Sequence, residues 1–372
     1  MRKVLVLGAL AGQVDAIETL KARGIEVHVC AHVPSGPGVE AADEFHLADI
    51  VDPDQIEAVA KSIPADVVYS VGSDIAMPTV VAVSERLGLP HFHGVELTDT
   101  LRRKQKLRDE LDRAGLNAVK YAVVEPGGAL PGWDALPCIV KPVDAQGQRG
   151  ISIIDDPDRL EAAIVQAQES SVTGAAIIEE FLEGPEVSAH VIVEDGEVIL
   201  FIPSDRHVWP GPMVGIPEGH SLPLGTETKT WEGEFSRLVQ DVVRALGVKE
   251  GPLYFQAIVT SDGPRIVEIA SRLDGCHLWR LLKFSTGFDI MDAVLGRLLG
   301  DPWPELPRDL APEPATLSFL LDSPDVHVDD EYVVAHAKSD AEFTEIQVGS
   351  DGTPRRTNDV VARIGYQITR GA

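Results

Sequence analysis

The chain has 372 residues, 44% hydrophobic and 24% charged, an ordinary soluble composition with room for two or three domains. Its 59 acidic residues against 32 Lys and Arg give a formal charge of −27, which repels a phosphate backbone and argues against nucleic acid as a partner. Cys30, Cys138 and Cys276 lie far apart, without a disulfide framework or metal-binding spacing, and fit the reducing cytoplasm. No apolar run approaches the ~20 residues of a membrane span. Met1-Arg2-Lys3 before an apolar run of about eight residues looks like a signal peptide, yet the sequence from Asp15 reads straight into an amphipathic helix, so a buried first strand explains it better.

Residues 3–8, 25–30 and 67–71 are short, β-branched and nearly all apolar, as strands covered on both faces are. Helical patterns lie between and after them: Val14 to Lys21, Gln55 to Ser62 behind a cap-like Asp52-Pro53, and Met77 to Leu87, stopped at Gly88. The alternation predicts a parallel α/β domain over 1–95. A charged helix is expected from Thr100 to Ala114, ending at Gly115, with its cations toward the N-terminal half, against the helix macrodipole. Residues 119–183 read as a compact unit with strands at Cys138–Lys141, Ile151–Ile154 and Ala175–Glu180, a glycine loop at Gly147–Gly150 and a helix near Asp158–Glu169. Strands resume at Glu186, then Pro203–Gly225 reads as a long irregular segment rich in Pro, Gly, His and Trp, of a length that usually carries function. Phe235, Leu238, Val239, Val242, Val243 and Leu246 fall at helical spacing. Gly251–Ala270 follows as a β-hairpin turning at 261–264. Prolines from 302 to 314 mark a boundary before a small β-rich cap at 311–372.

Several of these segments carry chemistry. Alternate hairpin positions share a face, so Gln256 and Glu268 point together, with Arg272 just beyond. An amide oxygen, a carboxylate and a guanidinium suit Mg²⁺ and a triphosphate, although ordinary polar residues at a sheet edge would read the same way. Lys141 precedes the glycine loop, where Gly147 and Gly150 would let backbone N–H groups approach phosphate oxygens. The stretch Glu179-Glu180-Phe181-Leu182-Glu183-Gly184-Pro185-Glu186 would expose backbone groups at Glu180 and Leu182 to a flat heterocycle, and offer Glu186 to two ribose hydroxyls. The same stretch could be a plain linker. Ser73 and Asp74 follow the third strand, at the carboxyl edge where open α/β sheets bind ligands. Arg206, His207, Trp209, Met213 and His220 are candidates for shaping an acceptor pocket, or simply for packing.

The succession of helix lysine, strand Lys-Pro, glycine loop, Glu-x-Phe-Leu-x-Gly-x-Glu and Gln/Glu hairpin ending in Arg resembles the ATP-grasp superfamily. The likeness is in particular to its carboxylate–amine ligases, and to grasp domains like those of the carbamoyl phosphate synthase large chain. It implies an N-terminal pre-ATP-grasp domain (1–95), an ATP-grasp domain (96–310) with a mobile lid over about 119–183, and a β-rich cap (311–372). By position, it implies that Lys104 and Lys141 bind phosphates, with Lys106 an alternative register for the first. Glu179, Glu180 and Leu182 would read adenine, Glu186 would hold ribose, Gln256 and Glu268 would ligate Mg²⁺ or Mn²⁺, and Arg272 would clamp the transferred phosphoryl group. Ala270 departs from the pattern, which has Asn there; a methyl group cannot coordinate a cation, and Asp274 is a candidate replacement. The implied activity is an ATP-dependent, ADP-forming ligase that activates a small-molecule carboxylate for attack by an amine; a homodimer is a class-based expectation. Two related alternatives are a carboxylating or carbamoylating enzyme using bicarbonate and an ATP-binding module without ligase activity. A nicotinamide dehydrogenase is a third, weakened by Gly8-x₃-Gly12 in place of Gly-x-Gly-x-x-Gly.

Overall fold

A computed structural model gives the architecture; it describes all residues except 117–118, 146–148, 211–214, 307–310, 350–351, 357–359 and 372. The first sheet contains β1 (Lys3–Leu7), β2 (Glu26–Ala31), β3 (Glu44–Leu47) and β4 (Val67–Tyr69), all parallel, in the order β3-β2-β1-β4. The apolar runs of β1, β2 and β4 are buried because helices cover both faces. No such run announces β3, an edge strand whose residues stay exposed or half-buried. Helix Ala11–Ala22 packs against helix Ile290–Leu298, and its Asp15 accepts hydrogen bonds from Trp279 Nε1 (2.6 Å) and the Arg280 guanidinium.

The second sheet holds β5 (Tyr121–Val124), β6 (Cys138–Pro142), β7 (Ser152–Ile154) and β8 (Ala176–Glu180), antiparallel in the order β5-β8-β6-β7. Helix Leu160–Ser170 lays Ala163, Ile164 and Ala167 across one face of it. The third and largest sheet has nine strands: β9 (Glu186–Glu194), β10 (Glu197–Val208), β11 (Pro217–Leu222), β12 (Gly251–Thr260), β13 (Gly263–Ala270), β14 (Ala315–Asp322), β15 (Ala341–Ile346), β16 (Arg355–Arg356) and β17 (Ala362–Arg370). Its order is β13-β12-β9-β10-β11-β14-β17-β15, with β16 on β17. The β-rich C-terminal strands therefore extend the central sheet through the β11–β14 pairing. The amphipathic helix Glu232–Ala245 buries Phe235, Val239, Val242 and Val243 against the β9–β12–β13 side.

Two sequence expectations change. The charged helix is two helices, Val95–Arg102 and Lys104–Arg113, broken at Arg103 (φ −97°, ψ 110°). The break lets Leu101, Leu107 and Leu111 all bury in one cluster and frees the Lys104 N–H to donate to Val143 O at 3.0 Å. Second, most of Pro203–Gly225 is strand: β10 runs to Val208 and β11 occupies Pro217–Leu222. Pro203 lies within β10 opposite Ala189 of β9, ahead of the β11 pairing that begins at Asp205.

The loop after β4 reaches the loop after β13 at a pair of glycines. A Cβ on Gly72 (φ +64°) would stand 2.8 Å from Gly275 Cα and 3.0 Å from Asp274 O. Gly72→Ala should therefore cost about 2 kcal/mol or more, from the left-handed backbone plus the clash. Gly88→Ala, at φ +66° with nothing within 4 Å, should lose only the backbone part of about 1 kcal/mol. Urea unfolding of both variants checks this, and equal losses would contradict the close approach.

Among the buried imidazoles are His93, His190 on β9 and His220 on β11. Burial pulls their pKa values down to about 4, 4 and 3. The unfolded chain then binds more protons than the folded one between about pH 6.5 and 4, so stability falls as pH drops through that window, by up to ~1.4 kcal/mol per pH unit per histidine. Urea midpoints should fall between pH 7 and pH 5, above the range in which carboxylates titrate; a flat midpoint there would contradict neutral buried imidazoles.

Candidate active site

A cleft of about 1170 Å³ lies between the second sheet, the β12–β13 hairpin and the loops that follow β4 and β13. Of the residues expected at a site, it is lined by Asp74, Lys104, Lys141, Glu179, Glu180, Leu182, Glu186, Arg206, His207, Gln256, Glu268 and Arg272. Residues up to 198 apart in sequence, Asp74 and Arg272, thus reach one space. The volume exceeds that of most single-ligand pockets and leaves room for two ligands side by side.

At one side stand three cations and one carboxylate. Glu179 lies between Arg108 Nε (2.8 Å) and Lys141 Nζ (2.6 Å), all three nearly excluded from water, while Arg108 NH1 donates to Ile266 O on β13 at 2.7 Å. Burial opposes charge on Glu179, but Lys141 and Arg108 outweigh it and hold its pKa at about 2. Burial likewise lowers the Lys141 pKa, against the pull of Glu179. Lys104 opens its helix and donates to Ala145 O at 3.1 Å, with no carboxylate partner among the described residues. The side chain of Glu179 is thus a buried counter-ion, not a group free to read a base. Arg108 was absent from the expected site, although it follows Lys104 by one helical turn, the spacing that puts two side chains on one face.

The strand β8 then runs into the 181–185 turn. The Glu180 N–H donates to Lys120 O (3.0 Å), so it is not the free donor expected. Lys120 N–H donates to the Glu180 side chain (2.8 Å), leaving the Glu180 carbonyl without that partner. Leu182 uses neither backbone group in a hydrogen bond with described residues. The turn therefore offers a C=O at 180 and an N–H at 182. Gly184, at φ +150°, lets the chain lie against Val259 O, where a Cβ would come within 2.0 Å.

On the hairpin, Gln256 and Glu268 are direct cross-strand partners, as the alternation predicts. Gln256 Nε2 donates to Glu186 Oε2 (2.9 Å), which turns the amide oxygen away from Glu186. Glu268 is half-buried, and its side chain makes no hydrogen bond or ion pair among the described residues. An amide oxygen and an uncommitted carboxylate are hard donors that fit Mg²⁺. Ala270 is buried beside them and contributes no ligand atom. Asp274, the suggested substitute, clusters instead with His220 and Cys276, their ligand atoms within 4.8 Å of one another.

Two further expectations are redirected. Arg272 holds Asp74 in a two-pronged ion pair (Nε to Oδ1, 2.7 Å) and donates from NH1 to Leu273 O, so Asp74 serves Arg272. Burial opposes the charge of Arg272 and Asp74 restores it, raising its pKa. Arg206 is ion-paired to Glu186 and donates to Gly215 O at 2.8 Å. His207 borders the cleft and contacts Ser221 Oγ at 2.7 Å. Ser73, Gly150, Trp209 and His220 do not line it: the Ser73 carbonyl caps helix Met77–Leu87, Gly150 packs on Ser170, and His220 is wholly buried. Gly147 and Met213 fall outside the described residues.

Known proteins resemble the chain in sequence and in fold. The ATP-grasp domain family model matches residues 134–278. The chain is 25% identical to a phosphoribosylamine–glycine ligase of Caulobacter vibrioides over 352 residues, 86% of this chain and 82% of that one. It is 32% identical over 193 residues to a formate-dependent phosphoribosylglycinamide formyltransferase of Vibrio vulnificus, 49% of this chain and about half (48%) of the other. An L-amino acid ligase from Bacillus licheniformis shares the fold with a TM-score of 0.79 over 99% of this chain and 93% of that one, at 20% identity. No helix among the described residues is long and apolar enough to cross a membrane. Lysines on a buried strand and a helix start, the open turn at 180–182, the Gln256–Glu268 pair and these matches weigh against the dehydrogenase alternative and agree on an ATP-grasp domain over residues 134–278.

Proposed function

We propose that Mg²⁺–ATP occupies the cleft between a lid at 119–183 and the 186–300 body, and that the γ-phosphoryl group passes to a carboxylate oxygen of a small-molecule substrate. The products of that step are an acyl phosphate and ADP; an amine then attacks the acyl carbon, phosphate departs, and a C–N bond is formed. In this reading residues 1–95, 96–310 and 311–372 are the pre-ATP-grasp domain, the ATP-grasp domain and the cap. A cytoplasmic setting is supported by three free cysteines.

The observation that carries the reading is the charge imbalance at the cleft wall, three cations around Glu179 in a chain of net charge −27. A triphosphate supplies the missing anions, and Lys104 and Lys141 would neutralise charge spreading over its oxygens. The Glu180 carbonyl and Leu182 N–H are a matched acceptor and donor for an adenine edge. Glu186, steadied by Arg206 and Gln256, would receive the ribose. The Gln256 amide oxygen and Glu268 would hold Mg²⁺, whose chemistry is to neutralise the phosphates and align them. Arg272, kept charged by Asp74, would face the transferred group. Closure of the lid would keep water from the acyl phosphate.

Glu268→Gln should reduce substrate-dependent ADP release by at least about 100-fold, the scale of losing one electrostatic contact made in the transition state. Lys141→Met should weaken nucleotide binding about 10-fold or more. Coupled ADP-release kinetics and calorimetry with Mg²⁺–ADP measure these; wild-type turnover in Glu268→Gln would overturn its assignment.

A further inference from the structure

Three of the cleft's arginines are already paired with carboxylates, Arg108 with Glu179, Arg206 with Glu186 and Arg272 with Asp74. Arg363, which reaches the cleft from β17, is the exception. Its guanidinium lies 3.9 Å from the centre of the Phe319 ring, and its NH2 is 3.9 Å from Cys276 Sγ. Among the described residues it has no carboxylate partner, although acidic residues outnumber basic ones 59 to 32. A guanidinium with one face on an aromatic ring and its edge open is shaped for a two-pronged contact with a carboxylate.

Across Cys276 stands the opposite charge. Asp274 is almost fully buried; its Oδ2 accepts the Cys276 N–H at 2.8 Å, while Oδ1 has no hydrogen bond among the described residues. Burial opposes its ionisation, but His220, His190 and Arg272 outweigh it and lower its pKa. His220 shares the cluster; its Nδ1 is 3.3 Å from the hydroxyls of Ser188 and Ser204, and its buried Nε2 has no partner. Arg363 and Asp274 do not pair. Cys276 Sγ separates them, 3.9 Å from one and within 4.8 Å of the other.

We propose that this end of the cleft receives an α-amino acid, its carboxylate on Arg363, its ammonium on Asp274 and its Cα region over Cys276. The two charges of such a ligand sit on neighbouring atoms, and a charge-assisted hydrogen bond of ~2.8 Å at each end spans the gap the thiol leaves open. With its carboxylate held by Arg363, the amino acid presents its nitrogen toward Arg272 and the hairpin, so it is the amine substrate and not the carboxylate that is phosphorylated. The assignment rests on the ligase reading and names the acceptor class for it.

The test is calorimetric titration of the twenty L-amino acids, with their amides and decarboxylated amines, into the full-length protein saturated with Mg²⁺ and ADP. At least one amino acid should bind about 10- to 100-fold more tightly than its amide and its decarboxylated amine, the range of charge-assisted hydrogen bonds. Arg363→Met should erase that preference by weakening the acid alone, leaving affinity for the amide and for ADP as in wild type. Arg363→Lys should restore part of it, and Asp274→Asn should weaken acid and amide together. Equal affinity for acid and amide, a uniform loss of all ligands in Arg363→Met, or stoichiometric Zn²⁺ binding that requires His220, Asp274 and Cys276 without amino-acid binding would each overturn the proposal. Failure of ADP itself to bind would instead sink the ligase reading, so the two failures are distinguishable.

Discussion

One carboxylate answers for too many cations. Glu179 neutralises one positive charge among Arg108, Lys141 and the nearby Lys104, in surroundings almost free of water. Taking such charges out of water costs several kcal/mol per ion, and the arrangement holds only because the geometry is close and Arg108 has a further acceptor in Ile266 O. The same bonds are mechanical. Arg108 belongs to helix Lys104–Arg113, Lys141 to β6, Glu179 to β8 and Ile266 to β13, so one ion cluster ties the small sheet to the helix and to the hairpin. The remaining positive charge faces the cleft, in a protein that otherwise repels anions. In the proposed function a triphosphate supplies the anion that completes the cluster.

A second brace sets where that ligand can react. The close approach of Gly72 and Gly275 brings the N-terminal sheet against the loop after β13, and Asp74 then grips Arg272. Arg272 is thereby fixed in orientation and kept charged by a residue from another part of the chain. Asp15, gripping Trp279 and Arg280 a few residues on, fastens the same junction from its far side. The wall bearing Arg272, Asp274 and Cys276 is therefore braced from both flanks, and the small sheet opposite is tied across by the ion cluster and by bonds such as Tyr121 OH to Asp109 (2.7 Å).

Much of this was legible in the chain. The parallel N-terminal strands, the small antiparallel unit and the hairpin follow from local patterns, and the pairing of Gln256 with Glu268 follows from alternation alone. Legibility ends where meaning depends on a distant partner. Nothing near Glu179 reveals that Arg108 and Lys141 will converge on its side chain, nor does anything near Asp74 reveal Arg272. The Pro, Gly, His and Trp content of 203–225 suggested an irregular segment, and only its pairing with β9 and β14 shows that β10 and β11 run through most of it. The break at Arg103 has no glycine or proline to announce it; burial of Leu101, Leu107 and Leu111 in one cluster overrides the continuous helical pattern. Arg363 arrives from a strand nearly at the end of the chain, so no motif could have included it.

The central claim is that the uncompensated cations around Glu179 hold a triphosphate above the Gln256–Glu268 pair. A crystal structure with Mg²⁺ and a non-hydrolysable ATP analogue tests it most directly. The account predicts phosphate oxygens within hydrogen-bonding distance of Lys104 and Lys141, with the Gln256 amide oxygen and the Glu268 carboxylate holding the metal. A nucleotide bound elsewhere, or bound in the cleft with Lys141 still directed only at Glu179 and no metal on Glu268, would contradict it.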